Sequence, residues 1–196
     1  MFICQIISIM RICIDEAGRG PLAWPVHVGL VVEKNYPSLV DYQDSKQLSA
    51  SRREQLYTQI ASQPDIVWAV SSCSAQEIDT HGIVWAIRTA IVKWLDQLFS
   101  KEKKADYTLV IDWPSDFGLG KMLGVPCIPI IKGDQKNRCI SMASILAKVT
   151  RDHMMLALAE KYPQYGFEKH MGYGTANHEA MVKFLAGSGF LNFPET

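Results

Sequence analysis

The stretch "IDEAGRGPLAWPV", residues 14–26, joins the end of an apolar run to two carboxylates, a Gly-Arg-Gly corner and a turn that contains two prolines. The carboxylates, Asp15 and Glu16, stand directly after the apolar run. Beyond the turn, "VHVGLVVE" at 26–33 is rich in Val and is therefore typical of a strand. The stretch thus predicts a strand that ends in two adjacent acids, followed by a turn and a second strand.

Along the whole chain, strand-like runs come first and then alternate with segments whose apolar residues have helical spacing. Runs rich in apolar and β-branched residues predict strands over 3–14, 26–33, 65–73, 107–112 and 125–131. Apolar spacing predicts helices over 51–61, 80–99, 137–162 and near 177–186. Ser51 and Glu54 are predicted to form a capping box in the first of these helices. This order of elements is typical of an α/β domain with a mixed sheet.

Length and composition fit one domain over residues 1–196. The formal net charge is 0, so a nucleic-acid partner needs a local basic patch. Five scattered cysteines without a CxxC pair favour a reducing cytoplasm over a zinc site or a disulfide framework. The apolar start, interrupted by Gln5 and Arg11, is too short and too broken to cross a membrane and makes a poor signal peptide. Met10 is an alternative natural start, which would make residues 1–9 an extension.

Four acids stand at the ends of predicted elements: Asp15, Glu16, Asp112 and Asp134. Asp15 and Asp112 each close an apolar strand, and ligands of α/β sheets bind beyond the carboxyl ends of strands. Two carboxylates about 4 Å apart repel by roughly 4 kcal/mol at an effective dielectric constant of about 20. Mg²⁺ or Mn²⁺, which prefer carboxylate and phosphate oxygens, would reverse that repulsion. A single acid after a strand is usually a cap or turn residue, so the metal-site prediction depends on all four acids together.

The segment "GRGPLA" at 18–23 also fits G-x-G-x-x-A, the dinucleotide-binding pattern of nicotinamide oxidoreductases. That interpretation is disfavoured because a strand follows the glycines and because the preceding carboxylates would repel a pyrophosphate. A tight turn fits better, since Gly18 and Gly20 let backbone N–H groups approach a phosphate or a sugar hydroxyl while Arg19 neutralises charge. An ordinary turn with a solvated arginine is the alternative.

The opening stretch resembles the signature of the ribonuclease HII family. Further matches follow in the family's order: "DSKQLS" at 44–49, "LVID" at 109–112, "IKGD" at 131–134, "SMASILAKVTRD" at 141–152 and "YGFEKHMGYGT" at 165–175. The resemblance implies a ribonuclease H-like fold, in which helices flank a central five-stranded mixed sheet. It also implies a C-terminal loop and helix extension over about 163–196.

The family's metal-binding acids correspond to Asp15, Glu16, Asp112 and Asp134, which the resemblance implies are catalytic and hold two Mg²⁺ or Mn²⁺ ions. The implied activity is endonucleolytic hydrolysis of RNA in RNA–DNA hybrids and cleavage on the 5′ side of single ribonucleotides embedded in duplex DNA. Cleavage leaves a 3′-hydroxyl and a 5′-phosphate, as ribonucleotide excision repair requires. The expected partner is nucleic acid, with no membrane contact, and the expected state is a monomer.

The resemblance also implies which residues read the substrate. Gly18, Arg19 and Gly20 match the motif that senses the ribose 2′-hydroxyl at the RNA–DNA junction, the group by which proteins distinguish RNA from DNA. Tyr173 matches the tyrosine that packs on the sugar after the junction; without the motif, it would be taken for a loop aromatic that covers the core. Lys46 matches a phosphate-contacting lysine.

Basic residues of the long predicted helix are further candidates. Lys148 and Arg151 are three residues apart and so share a helix face, which by itself is more typical of solvated side chains. With nearby basic residues they are predicted to form a strip that contacts phosphates and makes binding salt-dependent. The additional members of this strip are Lys132, Lys136 and Arg138.

The chain departs from the family pattern at two tryptophans. Trp24 and Trp113 stand where the family usually has glycine, and Trp113 directly follows Asp112. These rings are expected to remodel the substrate groove, to stack on a sugar or base, or to pack on each other. One alternative function is therefore a catalytically impaired hybrid-binding module of the same fold. A second is a metal-dependent phosphatase acting on small phosphoesters, which would need neither Arg19 nor Tyr173.

Overall fold

The computed structural model describes residues 10–23, 25–33 and 48–187, and within them five strands form one mixed sheet. The strands are β1 (Met10–Ala17), β2 (Val26–Glu33), β3 (Trp68–Cys73), β4 (Tyr107–Ile111) and β5 (Cys127–Pro129). Their order across the sheet is β3-β2-β1-β4-β5. The pairs β1–β2 and β2–β3 are antiparallel, whereas β1–β4 and β4–β5 are parallel. The predicted five-stranded mixed sheet is confirmed.

Helices connect and flank these strands. They are α1 (Ala50–Ala61), α2 (Ala75–His81), α3 (Ile83–Phe99), α4 (Leu119–Leu123), α5 (Arg138–Lys161), α6 (Phe167–His170) and α7 (Ala176–Gly187). Short 3₁₀ turns cover Lys104–Asp106, Gly133–Gln135 and Pro163–Tyr165. In the described part of the chain, no helix combines the length and the apolar character that crossing a bilayer needs.

Two helix starts differ from the sequence prediction. The cap of α1 is Ser49, whose side chain accepts from the Arg52 N–H. The predicted Ser51–Glu54 capping box is therefore wrong, because the helix is capped two residues earlier. The predicted helix over 80–99 is two helices, because Gly82 takes a positive φ of 83° and separates α2 from α3. A capping box does form, but between Ser74 and Glu77 at the start of α2.

The sheet is apolar on both faces because helices cover both. On one face, alternate residues such as Ile12 and Leu30 pack with Ile87 and Ile91 of α3. On the other face, the intervening residues pack with α1 and α5. Such burial on both faces explains why β1 and β2 read as nearly continuous apolar runs rather than alternating ones.

Helix α5 approaches the sheet closely at Gly29 of β2. A Cβ built on Gly29 would lie 2.0 Å from the carbonyl oxygen of Ala143, so only glycine fits there. Gly29 pairs with Asp15 across the β1–β2 ladder. The close approach therefore brings the first half of α5 next to the acid at the end of β1.

A candidate metal and nucleic-acid site at the ends of the parallel strands

Three carboxylates converge beyond the carboxyl ends of β1 and β4. Asp15, Asp112 and Asp134 each offer an oxygen, and these atoms all lie within 4.8 Å of one another. Asp15 is 6% exposed and Asp134 is 2% exposed, whereas Asp112 is half-buried. The structure thus brings together three of the four predicted acids as one acidic cluster.

Strand pairing places two of these acids side by side. β1 and β4 run parallel with Ile14 opposite Ile111, so the next residues, Asp15 and Asp112, lie side by side at the same edge of the sheet. The ladder continues one step further, because the Asp112 N–H donates to the carbonyl of Ile14 at 3.0 Å. The sequence inference that neighbouring strands would bring these two carboxylates together is confirmed.

The third acid of the cluster is held by the second. The N–H of Gly133 donates to Asp112 Oδ1 at 2.8 Å, and the N–H of Asp134 donates to Asp112 Oδ2 at 3.1 Å. Both oxygens of one carboxylate therefore fix the 3₁₀ turn that carries Asp134. A Cβ on Gly133 would lie 2.6 Å from Ile140 Cδ1, so this turn also packs tightly on α5.

Burial and mutual repulsion act on the carboxylates at the end of β1. Burial, with the charges of Glu16 and Asp112 adding to it, raises the pKa of Asp15 well above its ordinary value, while a hydrogen bond from Ser144 opposes the shift. Burial also raises the pKa of Glu16 to about 7; the bond from Trp113 and the charge of Arg19 oppose that shift, and Asp112 adds to it. Bare carboxylates are thus costly here, as the sequence argument requires.

This donor set fits a hard divalent cation. Carboxylate oxygens are the ligands that Mg²⁺ and Mn²⁺ prefer, and a cation between them converts repulsion into attraction. Asp15, Asp112 and Asp134 are the residues positioned to share such an ion. Glu16 directly follows Asp15 in the chain and interacts electrostatically with Asp112.

Glu16 is tied to the residue that follows Asp112. The indole Nε1 of Trp113 donates to Glu16 Oε2 at 2.5 Å, and the guanidinium of Arg19 lies 3.9 Å from the centre of the Trp113 ring. Sequence reasoning noted Trp113 only as a departure and missed this bond. The signal in the sequence was the position of Trp113, directly after the acid that closes a predicted strand.

The Gly-Arg-Gly corner lies against the loop that carries Tyr173. Gly18 has a positive φ of 107°, and a Cβ there would lie 2.6 Å from the carbonyl oxygen of Pro25. A Cβ on Gly20 would face Tyr173 Cε1 at 3.9 Å. Tyr173 is 42% exposed, so its ring is accessible beside the corner. The structure thus brings the predicted junction-reading groups together.

The predicted basic contacts fall into different environments. Lys148 is half-buried, forms an ion pair with Asp152 at 2.6 Å, and has its Nζ 5.7 Å from the centre of the Tyr173 ring. Lys132 and Lys136 are exposed. Arg138 is exposed as well, at the start of α5. Lys46 and Trp24 lie outside the described residues.

Arg151 occupies the interior rather than a shared surface with Lys148. Its side chain is fully buried, and Nε, Nη1 and Nη2 donate to the carbonyls of Pro25, Met171 and Ala23 at 3.1, 2.9 and 2.8 Å. These bonds argue against the predicted phosphate contact. They join the segment that follows the Gly-Arg-Gly corner to the loop that precedes Tyr173.

The burial of Trp113 bears on the alternative of an inactive binding module. The ring is 6% exposed and packs against Phe117 at 4.3 Å between ring centres. The ring fills the interior beside the acidic cluster and therefore does not block a surface groove. Its burial argues against a binding module that Trp113 makes inactive.

Comparison with known proteins agrees with the geometry. The family model described as Ribonuclease HII matches residues 12–188. A ribonuclease HII of Fusobacterium nucleatum subsp. nucleatum is 42% identical over 171 residues, which is 87% of this chain and 77% of that protein. A chain of the PCNA:RNase HII complex from Archaeoglobus fulgidus superposes with a TM-score of 0.71 at 24% identity, covering 93% of this chain and 91% of that one. Bst ribonuclease HIII in complex with Mn²⁺ has a TM-score of 0.62 at 16% identity, covering 92% and 71%.

A mixed five-stranded sheet with a carboxylate cluster at the ends of its parallel strands fits a metal-dependent nuclease of the ribonuclease H type. The family match over most of the chain narrows this class. The chain belongs to the ribonuclease HII family, which consists of metal-dependent endoribonucleases. The family and the fold class expected from the sequence are both confirmed.

Proposed function

We propose that this chain hydrolyses the RNA strand of RNA–DNA hybrids and cuts on the 5′ side of single ribonucleotides embedded in duplex DNA. Cleavage leaves a 3′-hydroxyl and a 5′-phosphate, which suits ribonucleotide excision repair. The observation that carries the proposal is the convergence of Asp15, Asp112 and Asp134 within 4.8 Å at the ends of two parallel strands. Membership of the ribonuclease HII family supports the choice of substrate.

Asp15, Glu16, Asp112 and Asp134 are the proposed catalytic and metal-binding residues. Their oxygens suit two Mg²⁺ or Mn²⁺ ions, and carboxylate repulsion in the bare site favours binding. Held by these carboxylates, such ions would supply activation of a water for attack on phosphorus and neutralisation of the departing 3′-oxygen. Asp112 has a second task, because it orients the turn of Asp134 through two backbone N–H groups.

The corner beside the cluster is the proposed reader of the junction. Backbone groups at Gly18 and Gly20 are suited to the 2′-hydroxyl, which both donates and accepts hydrogen bonds. The accessible ring of Tyr173, next to Gly20, is suited to the following sugar. Lys148 lies beside Tyr173 and is the proposed phosphate contact of α5. Lys46 is proposed as a further phosphate contact from the sequence resemblance.

The proposed setting is the cytoplasm, and the proposed state is a monomer. The cysteines at 13, 73, 127 and 139 are free, which suits a reducing compartment. One chain alone supplies the acidic cluster and the adjacent corner, so a second copy is not needed to complete the site.

The decisive experiment uses labelled duplexes that carry one embedded ribonucleotide, a continuous hybrid, or DNA alone, each with Mg²⁺ or Mn²⁺. We expect cleavage of the first two and an intact DNA duplex. Asp112→Asn removes a charge from the acidic cluster and should lower the cleavage rate at least about 100-fold, because it alters both ion binding and the turn of Asp134. The end groups of the products are checked by ligation and by phosphatase treatment.

The matched control is Asp116→Asn, the same change four residues along the chain. Asp116 accepts N–H bonds from Gly118 and Gly120 and is not part of the acidic cluster. It should cleave at nearly the wild-type rate. Full activity of Asp112→Asn would contradict the assignment of the site, and turnover of a small chromogenic phosphoester without hybrid cleavage would favour a phosphatase.

A further inference from the structure

Trp113 contacts two groups that the proposed function assigns to different tasks. Its indole N–H donates to Oε2 of Glu16, a proposed metal ligand. Its ring lies under the guanidinium of Arg19, in the proposed junction-reading corner, at 3.9 Å. A single side chain thus connects the acidic site to the corner.

The ring is itself fixed by the core. Trp113 is 6% exposed, belongs to the apolar cluster on the α3 face of the sheet, and packs against Phe117. Its backbone N–H donates to the carbonyl of Ile111 at 2.9 Å, so the backbone at this position is held as well. A side chain held in this way can set the positions of its two polar neighbours rather than follow them.

We propose that Trp113 is a positioning residue that orients Glu16 for metal binding through its N–H and Arg19 for junction recognition through its ring. The inference rests on the proposed function of these two neighbours. The bond to Oε2 restricts the rotation of the Glu16 carboxylate and so limits the directions in which its oxygens can face a cation. Groups that orient a ligating carboxylate commonly contribute to metal affinity.

The flat guanidinium of Arg19 suits the ring contact. A guanidinium over an indole face is held by cation–π attraction and by stacking of two planar groups, whereas a lysine ammonium lacks the second contribution. The contact restricts an otherwise mobile side chain at an exposed corner. Glycine at position 113, as in the usual family pattern, would supply neither the N–H nor the ring.

Two substitutions separate the two contacts. Trp113→Phe keeps a ring beneath Arg19 but removes the N–H, and it should raise the Kd for Mn²⁺ about 10-fold. The Kd is measured by calorimetry without nucleic acid. The preference of this variant for one embedded ribonucleotide over a continuous hybrid, as a ratio of kcat/KM values, should stay within about 2-fold of wild type, since the ring contact remains.

Arg19→Leu removes the ring contact from the other side without changing the core. It should lower the preference for the embedded ribonucleotide about 5-fold, because the contact is a single cation–π pair. The Mn²⁺ Kd should not rise, because the change removes a positive charge that acts on Glu16. Trp113→Leu removes both contacts and should show both effects together.

The matched control is Trp94→Phe, the same chemical change at a ring that packs on the same apolar cluster. It should leave the Kd and the preference unchanged. An unchanged Mn²⁺ Kd in Trp113→Phe, or an unchanged preference in Arg19→Leu, would overturn the proposal. If wild-type protein binds Mn²⁺ but cleaves neither substrate, the proposed function fails, yet the Kd comparison still tests the role of Trp113.

Discussion

Glu16 has a carboxyl group whose ionisation is moved close to neutral pH. Burial raises its pKa from an ordinary 4.5 to about 7. A carboxyl group with such a pKa is partly protonated near neutrality, and a proton on it competes with a metal ion. Metal binding at this end of the sheet should therefore depend on pH.

The stability of the metal-free protein should fall as pH rises from about 4.5 to 7. In this interval the folded protein binds more protons at Glu16 than the unfolded chain does, so the shift destabilises it by up to roughly 3 kcal/mol above pH 7. Mn²⁺ relieves this cost, and the rise in Tm on adding Mn²⁺ should be larger at pH 8 than at pH 6. Thermal unfolding followed by circular dichroism measures both effects.

Glu16→Gln provides the comparison for that prediction. The neutral amide cannot titrate, so the decline in Tm between pH 5 and 7 should be smaller in this variant. Asp15 remains in both proteins, and its raised pKa acts in the same direction. Identical pH profiles for wild type and variant would contradict the assignment of the shift to Glu16.

At the scale of elements, α5 packs on one face of the sheet and supports the site from that face. In its first half, Ser144 forms a hydrogen bond with Asp15. This bond is possible because α5 packs closely on the sheet at Gly29. Its middle supplies Arg151, which joins two loops through backbone carbonyls. One helix thus fixes both the acidic cluster and the corner, which otherwise come from distant parts of the chain.

Arg151→Lys should disturb the corner while keeping the charge. An ammonium cannot reproduce the fork that donates to Ala23, Pro25 and Met171 together, so carbonyls are left unsatisfied and stability should fall by about 2–4 kcal/mol. The preference for an embedded ribonucleotide should fall with it, because Gly18 packs directly on the guanidinium. Urea unfolding and the ratio of kcat/KM values for the two substrates measure these effects.

A direct phosphate role for Arg151 would give a different pattern. Arg151→Lys would then retain stability and lose mainly hybrid affinity. Arg88→Lys, on the opposite sheet face in α3, is the matched control and should change neither quantity. A stable Arg151→Lys protein with weak hybrid binding would therefore support the phosphate contact that the sequence predicts for Arg151.

At the scale of the whole molecule, the sequence predicts the sheet and its acidic edge well. The five strands are local apolar runs, and the parallel pairing of β1 and β4 makes the acids that follow them neighbours. These features depend on short segments whose period and end residues are visible in the sequence. Asp134 is also visible as an acid at the end of a predicted element, but it lies in a 3₁₀ turn without a periodic pattern, so only the ribonuclease HII resemblance assigns it to the same metal site.

Contacts between distant segments were not visible in the sequence. The spacing of Lys148 and Arg151 predicts a shared helix face, but three loop carbonyls draw the arginine into the interior. Similarly, the bond between Trp113 and Glu16 joins residues 97 positions apart in the sequence. It forms only because the fold brings the indole ring of Trp113 to Glu16. Helical period identifies neighbours within an element, and it does not identify the partners that tertiary packing supplies.

A chain with a formal net charge of 0 must bind its polyanionic substrate through few local contacts. If about three phosphates are contacted, hybrid affinity in the Asp112→Asn protein should fall about 40-fold between 50 and 200 mM salt. Fluorescence anisotropy of a labelled hybrid measures the affinity at each salt concentration. Lys148→Met should reduce the slope of log affinity against log salt by about 1, because it removes one phosphate contact.

Lys93→Met is the matched control for this slope. Both lysines are paired with an acid, Lys148 with Asp152 at 2.6 Å and Lys93 with Glu77 at 3.1 Å, but Lys93 lies on α3 at the other face of the sheet. A general electrostatic field would make the two substitutions equivalent, whereas a local contact makes only Lys148 matter. Equal slopes for both variants, or an affinity of the Asp112→Asn protein that is independent of salt, would contradict a phosphate contact on α5 beside Tyr173.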